Sequence, residues 1–401
     1  MKEKLMPYIP RDITEPLQKL TSQFPVVFLT GPRQSGKSTL LKHEFTSYGY
    51  VNLEDLDFRR AATEDPRGFI SRYPAPLIID EAQRAPELFS YLQVRVDEQR
   101  APGSYILSGS QNFQMMRAIS QSLAGRTGIA TLLPLSLPEV RQPQAGQFYQ
   151  DADDWLFTGA YPENIAERID TRLFYENYIR TYIERDIALE TGVHDLARFR
   201  NFMVACAVRA GGLVNYSDLA RDVSANDATM RSWLSILEES YICFRLMPYY
   251  KNYGKRFTKT PKLYFYDTGL LCSLLGIETR ADLRSHDRRG HIFENAVIAE
   301  FYKQRFHVNK QSRAYYWRSI RGPQKEIDLV FDGSGGPLLY EIKAAQTANE
   351  KFTHTLKSYL GENNLAEKSA SVVYDGPDGL TINATQFTNW QDFKAPGCNN
   401  L

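Results

Sequence analysis

Gly31-Pro32-Arg33-Gln34-Ser35-Gly36-Lys37-Ser38 is the stretch on which the reading of this chain turns. It satisfies G-x-x-x-x-G-K-[ST] at every fixed position, and Thr39 follows. Glycine lets the backbone fold round an anion without a Cβ clash. Successive N–H groups and the N-terminus of a following helix then present positive potential to phosphates. Lys37 is placed to reach the β- and γ-phosphates of a nucleotide, and the Ser38 hydroxyl to hold Mg²⁺. Residues 31–39 are therefore the candidate cradle for ATP. The flanks agree, with an apolar strand over 26–30 before the loop and a helix over 37–45 after it.

Working outward, Leu77-Ile78-Ile79-Asp80-Glu81 supplies the acidic partner. Asp80 ends an apolar strand, where a carboxylate can bind magnesium through water. Glu81 is placed to polarise the attacking water as general base, which binding alone would not need. The strand 105–108 runs into small polar residues, and Ser110 or Asn112 is placed to touch the γ-phosphate or the lytic water. Arg126, just before the next strand, can stabilise transition-state charge in a neighbouring subunit; a surface salt bridge is its other reading. Arg117 and Arg185 are further candidates for that role.

Around these motifs apolar runs alternate with amphipathic ones: strands over 50–52 and 129–133, and a helix over 88–98. Strands alternating with helices imply a parallel sheet covered on both faces. The pattern changes near residue 140, and 141–154, rich in Pro, Gln, Gly and Asp, reads as a linker. Residues 155–245 are helical by period, with Leu173, Tyr175, Tyr178, Ile179, Tyr182 and Ile183 as one apolar stripe. A helix over 293–304 and further strands follow.

Residues 1–140 resemble the AAA+-type ATPase domain of a small prokaryotic group with GPRQxGK[ST] loops, which carries a C-terminal domain of the DUF4143 type. The phrases YIRTYIERD (178–186), KLYFYDTGL (262–270) and YWR (316–318) are similar to that second domain. The likeness covers nearly the whole chain. It implies an oligomer, a hexamer being favoured, with ATP at subunit interfaces, which suits Arg126 as a trans-acting finger. The fold class expected is α/β: an AAA+-like P-loop NTPase parallel sheet over 1–140, a helical winged-helix module over 155–285, and a small restriction-endonuclease-like α/β domain over 286–401.

Residues 215–239 read as a helix-turn-helix, in which the second helix can enter a major groove. Thr229, Arg231 and Ser232 are its expected readers, with Trp233, Leu234, Ile236 and Leu237 turned inward. Residues 251–262 follow with five basic residues and no acid, among them Lys251, Lys255, Arg256 and Lys259, a wing suited to phosphates. Such modules also serve as protein-packing units, and Asp227, Glu238 and Glu239 on the second helix repel phosphate.

Late in the chain, 325–331 and 338–343 read as a hairpin across 332–337. Glu341 and Lys343, two apart, share a strand face. Asp328 lies on the neighbouring strand and Glu294 on the helix upstream. Asp328 and Glu341 can hold a divalent ion while Lys343 orients a water or stabilises phosphate, with Glu294 as a further ligand. The set resembles the PD-(D/E)xK nuclease superfamily, its wording (EIDLV, YEIK) being similar to Holliday-junction resolvase-like members; Ile327 replaces the proline often found before the aspartate. A degenerate nuclease fold kept as scaffold fits the same residues. Trp317 and Arg318 can stack on a base or grip a phosphate, or fill the core.

The whole-chain composition sets limits. Of 401 residues, 43% are hydrophobic and 24% charged, and the net charge of +1 confines any nucleic-acid contact to a local patch. Cys206, Cys243, Cys272 and Cys398 lie far apart, with no zinc or disulfide spacing. No apolar run reaches the ~18–20 residues needed to span a bilayer, and the N-terminus does not resemble a signal peptide. The expectation is a cytoplasmic, Mg²⁺-dependent ATPase acting on DNA; the alternative is an ATP-dependent switch that binds protein partners.

Overall fold

The computed structural model describes residues 8–110, 122–145, 149–167, 169–187, 193, 195–250, 260–319 and 324–398, the side chains of 184–187 excepted. Five short strands open the fold: β1 (Val26–Thr30), β2 (Gly49–Asn52), β3 (Leu77–Asp80), β4 (Tyr105–Gly109) and β5 (Thr127–Thr131). They form one parallel sheet in the order β2-β3-β4-β1-β5. Alternate residues serve opposite cores, as a pleated strand requires. Val26, Phe28, Leu77, Ile79, Tyr105 and Leu107 face one cluster, and Val27, Leu29, Ile78 and Ile106 face the other. Covered on both faces, these strands read as continuous apolar runs.

The last strand of this sheet lies two residues earlier than its apolar run suggests. Pairing with β1 ends at Thr131, and Leu132 adds one further bond, N–H to Thr30 O at 2.8 Å. Leu133, Leu135 and Leu137 are apolar because they pack into the core shared with the later part of the chain. Residues 141–154 are no free tether either. Ala145, Tyr149, Ala152, Asp153 and Asp154 are buried, and Asp153 pairs with Arg284 and Arg289 at 2.8 and 2.6 Å.

The helical region contains Thr171–Tyr178, continued by a wider-pitched turn over Ile179–Ile187, and then Leu196–Val208. Tyr175, Tyr178, Ile179, Tyr182 and Ile183 are buried as their spacing implies, whereas Leu173 is exposed. Helices Tyr216–Asp222 and Asp227–Glu239 are each capped by an asparagine, Asn215 and Asn226, whose side chain accepts from the first-turn N–H groups. Trp233, Leu234 and Leu237 face inward, with Ile236 partly buried.

Eight further strands, β6 (Cys243–Pro248), β7 (Lys262–Phe265), β8 (Ala314–Arg318), β9 (Glu326–Gly333), β10 (Gly336–Lys343), β11 (Ala370–Tyr374), β12 (Leu380–Ile382) and β13 (Thr385–Asn389), build a mixed sheet. Its order is β12-β13-β11-β10-β9-β8-β6-β7, so β6 and β7 of the helical region complete the sheet of the C-terminal one. The β9–β10 hairpin is tighter than its sequence suggests. Gly333 pairs with Gly336, leaving two turn residues, and Gly336 takes a φ of 105° that favours glycine. The helix Arg289–His307 covers one sheet face and the helix His354–Asn363 the other.

Candidate functional site

The loop between β1 and the helix Lys37–Glu44 bends through Gly31 at φ 150° and Gly36 at φ 93°. A Cβ on Gly31 would stand 2.0 Å from Leu132 O, so only glycine fits there. Lys37 is buried and donates to Gly31 O at 2.9 Å and Pro32 O at 2.8 Å. Burial lowers its pKa to about 8 against the opposing pull of Glu81 and Asp80.

At the end of β3, Asp80 is 1% exposed and held by hydroxyls from both sides. Tyr50 on β2 donates to its Oδ2 at 2.5 Å, and Ser108 on β4 donates to its Oδ1. Both donors are neutral, so they fix the carboxylate without cancelling its charge. Glu81 follows in the left-handed region at φ 55°, and Gln83 Nε2 donates to its Oε2 at 2.5 Å. Burial raises the pKa of Glu81, partly countered by Lys37.

Lys37 and Glu81 border a cavity of about 360 Å³, and Asp80 lies just behind Glu81 in sequence without lining it. Gln34, Gly36, Lys37, Ser38, Thr39 and Glu81 form one wall. The other wall was not foreseen from the sequence: Tyr8, Ile9 and Arg11 from the N-terminal segment, Leu135, and Pro162, Glu163 and Ala166 around the helix Pro162–Glu167. Tyr50 and Ser108 were likewise missed, since no motif announces a hydroxyl beside the acid. Ser110 is buried at the end of β4. Asn112 and Arg117 lie outside the described residues, as does the side chain of Arg185. Arg126 is not on this wall; its Nε and Nη2 donate to Asp97 at 2.6 and 2.8 Å.

The C-terminal acids lie where the sheet meets the helix Arg289–His307. Lys343 Nζ stands 2.6 Å from Glu341 Oε1 and 3.6 Å from Asp328 Oδ2. Asp328 Oδ2 also accepts from Ile342 N–H at 2.7 Å. Glu294 accepts from Tyr264 at 2.5 Å and from Lys262 at 3.2 Å, and Lys262 reaches Glu326 at 2.5 Å. Lys262 on β7 is the member sequence reasoning missed. Burial and the Asp328 charge push Glu294 and Glu341 up. Glu341 is 8% exposed and its Oε2 has no hydrogen-bond partner. The donor set suits a divalent cation, yet Glu294, Asp328 and Glu341 do not bring their oxygens within 4.8 Å of one another. Trp317 packs edge-on against Tyr359 at 4.8 Å, and Arg318 stands 3.9 Å from Glu326.

In the helix-turn-helix, Arg231 and Ser232 are exposed, and Arg231 lies over the Tyr216 ring at 4.0 Å. Thr229 is only partly exposed, and its hydroxyl donates to the capping Asn226 at 3.0 Å. Lys251, Lys255, Arg256 and Lys259 lie outside the described residues.

Three stretches of the chain match known families, and the phrases at 178–186 and 262–270 fall in the middle match rather than in DUF4143. Residues 23–141 match the AAA domain family, 149–281 a domain of unknown function (DUF8612), and 289–393 a domain of unknown function (DUF4143). Uncharacterized protein Rv2008c of Mycobacterium tuberculosis (strain ATCC 25618 / H37Rv) is 32% identical over 380 residues, spanning 94% of this chain and 82% of that one. Uncharacterized protein Mb2031c of Mycobacterium bovis (strain ATCC BAA-935 / AF2122/97) matches with the same figures. The chain belongs to this family of AAA-domain proteins with a DUF4143 domain. It is a P-loop ATPase of the AAA type, and the P-loop wall of the cavity falls within the AAA match. Among solved structures, the chain is similar to the Walker-type ATPase PABY2304 of Pyrococcus abyssi (14% identity, 68% of this chain and 99% of that one, TM-score 0.42). AMPPCP-bound DnaA from Aquifex aeolicus is also similar (17% identity, 57% and 86% covered, TM-score 0.29). Among the described residues no helix is long and apolar enough to cross a membrane.

Proposed function

We propose that this ATPase hydrolyses ATP with magnesium, assembles as an oligomer and acts on DNA. The observation that carries the hydrolytic part is Asp80, buried and fixed by two neutral hydroxyls, beside Glu81 at the rim of the P-loop cavity. Magnesium would be held by the Ser38 hydroxyl and by Asp80, and would supply charge neutralisation to the phosphates. Residues 31–39 bind the phosphates through backbone N–H groups, and Lys37 exchanges its two carbonyl partners for phosphate oxygens. Glu81 accepts the proton of the attacking water at a carboxylate oxygen. Ser110, at the end of β4, orients that water or the γ-phosphate. In the oligomer, of which a hexamer is the favoured form, Arg126 leaves Asp97 to stabilise the charge developing on a neighbour's nucleotide.

The DNA reading is supported by the helix-turn-helix, with Arg231 and Ser232 on its outer face, and by the nuclease-like acids Glu294, Asp328 and Glu341 with Lys343. Mobility-shift assays with duplex, forked and four-way DNA at low salt, with an ATP analogue present, test it. Binding to at least one form is expected, and binding to none overturns it.

Lys262 favours a second reading. It already pairs with both Glu294 and Glu326, as an inert C-terminal scaffold on a protein-binding switch would require. That reading has Glu341→Ala and Lys343→Ala leaving function intact while Lys37→Ala abolishes it.

A further inference from the structure

Arg11, outside every motif, lines the P-loop cavity and holds the loop by its backbone. It is 5% exposed. Its Nη1 donates to Ser35 O, inside the loop, at 2.7 Å, and its Nη2 to Leu133 O at 2.7 Å. Its Nε stands 3.0 Å from Glu139 Oε1. Glu139 is fully buried, accepts from Asp12 N–H and Ser136 N–H, each at 2.8 Å, and places Oε2 3.1 Å from His307 Nδ1. Leu133 N–H donates to His307 Nε2 at 3.2 Å, so the proton of the neutral ring sits on Nδ1, facing Glu139.

His307 is the last residue of the helix Arg289–His307. Two more bonds tie that helix to the ATPase domain and the end of the chain. Glu300 accepts from Leu137 N–H at 2.8 Å, and Gln304 accepts from Ala395 N–H at 2.7 Å. Near its other end the same helix carries Glu294 of the acidic cluster, about 20 Å from His307 at 1.5 Å per residue. One largely buried helix therefore joins the Arg11–Glu139 contact to the C-terminal acids.

Asp12, Glu139 and His307 also lie within metal-ligand spacing of one another. Arg11 already supplies a cation beside Glu139, and His307 Nε2 is taken by Leu133 N–H while Nδ1 stands near Glu139 without hydrogen-bond geometry, so we read the cluster as a bracing network rather than a metal site.

We propose that Arg11 is a positioning residue for the P-loop, and that the chain Arg11–Glu139–His307 couples nucleotide binding there to the acidic cluster through the helix Arg289–His307. The proposal rests on the reading that this loop takes up ATP. Lys37 must leave the Gly31 and Pro32 carbonyls to meet phosphate, and the loop backbone must turn its N–H groups inward. The Ser35 carbonyl, in the same loop, is held by Arg11. A buried guanidinium left without a partner is costly, so a shift of Ser35 O carries Arg11 with it and is passed to Glu139 and His307.

Amide hydrogen exchange on the full chain tests this, read over peptides within 289–307 with and without a non-hydrolysable ATP analogue and magnesium. Peptides of the helix His354–Asn363, on the far sheet face, serve as the internal reference. Nucleotide is expected to slow exchange in 289–307 several-fold relative to that reference. His307→Gln is expected to bind the analogue as wild type does in a calorimetric titration but to lose the response in the helix. Glu139→Gln serves in its place where His307→Gln does not fold. Arg11→Lys, which keeps the charge but cannot span Ser35 O and Leu133 O together, is expected to raise KM for ATP more than it lowers kcat. A wild-type chain that binds the analogue with no change in 289–307 overturns the coupling, as does an unchanged response in a folded His307→Gln or Glu139→Gln. An Arg11→Lys enzyme with wild-type KM overturns the positioning role. A chain that takes up no nucleotide removes the ATP reading and this proposal together.

Discussion

The two clefts of this molecule are built from the same parts and wired differently. At the P-loop, acids close a buried strand and a lysine stands near, but Lys37 bonds to backbone carbonyls and Asp80 to the hydroxyls of Tyr50 and Ser108. In the C-terminal cluster the lysines bond the acids themselves: Lys343 to Glu341, and Lys262 to Glu294 and Glu326. Neutral donors position a carboxylate and leave its charge for an incoming cation. Ammonium donors offset part of that charge in advance. Among the described residues, the P-loop cleft thus leaves Asp80 unpaired by any ammonium, whereas in the second cleft two lysines offset part of the charge of four carboxylates.

The largest expected effect is on turnover at the P-loop. Lys37→Ala removes the ammonium that faces the phosphates in this reading and should cost at least about 30-fold in ATP hydrolysis, because truncating one member of a buried charge pair costs ~2–5 kcal/mol. A phosphate-release assay reads this, and hydrolysis within a few-fold of wild type breaks the comparison at its stronger end. Next, Glu81→Gln should lower kcat by ~10²–10⁴, the usual contribution of a general base, while ATP affinity stays within a few-fold. A normal kcat would reassign the base.

Tyr50→Phe and Ser108→Ala sharpen the claim about neutral donors. Each removes one hydrogen bond to a charged group, worth ~1.5–3 kcal/mol, so each should reduce kcat on the order of tenfold and raise the magnesium needed for half-maximal rate. Wild-type magnesium dependence in both variants would mean that Asp80 needs no orientation. In the other cleft, Lys262→Met should increase manganese uptake, measured by titration, and lower Tm, because Glu294 and Glu326 lose their counter-charge. Unchanged uptake would show that the lysine is not what balances the site.

The smallest effect is on pH. Lys37 in the free protein loses its proton near pH 8, and phosphate favours the charged form. ATP binding should therefore take up a proton and weaken as pH rises above about 8, by at most about tenfold per unit. Glu81 must be ionised to accept a proton, and burial raises its pKa, so the acid limb of the kcat profile should lie above the ordinary carboxylate range. Titrations in buffers of different ionisation enthalpy read the first, and initial rates across pH the second.

The parallel-sheet half of the fold was readable because its signals are local. An apolar run, a glycine bend and an amphipathic stretch place β1, the P-loop and the helix after it, and the helix Leu88–Glu98 falls on its expected residues. Signals serving distant contacts misled. Leu133 and Leu135 extend the apolar run past β5 because they pack elsewhere. The helix Arg289–His307 runs past its expected end at 304 because Arg305 and His307, polar yet buried, find partners far along the chain. Arg11, Tyr50 and Lys262 are invisible to motifs for the same reason: each acquires its role from a partner that only folding brings near. The acidic quartet Glu294, Asp328, Glu341 and Lys343 was readable as a group; that Lys262 joins it was not.

Everything distinctive here depends on residues 31–38 accepting a triphosphate with magnesium beside Asp80. Calorimetric titration of a Mg²⁺–ATP analogue into the full chain and into Lys37→Ala is the most direct measurement. Saturable single-site binding by the wild-type chain is expected, greatly weakened in the variant. No heat from the wild-type chain, or equal affinity in both, contradicts it.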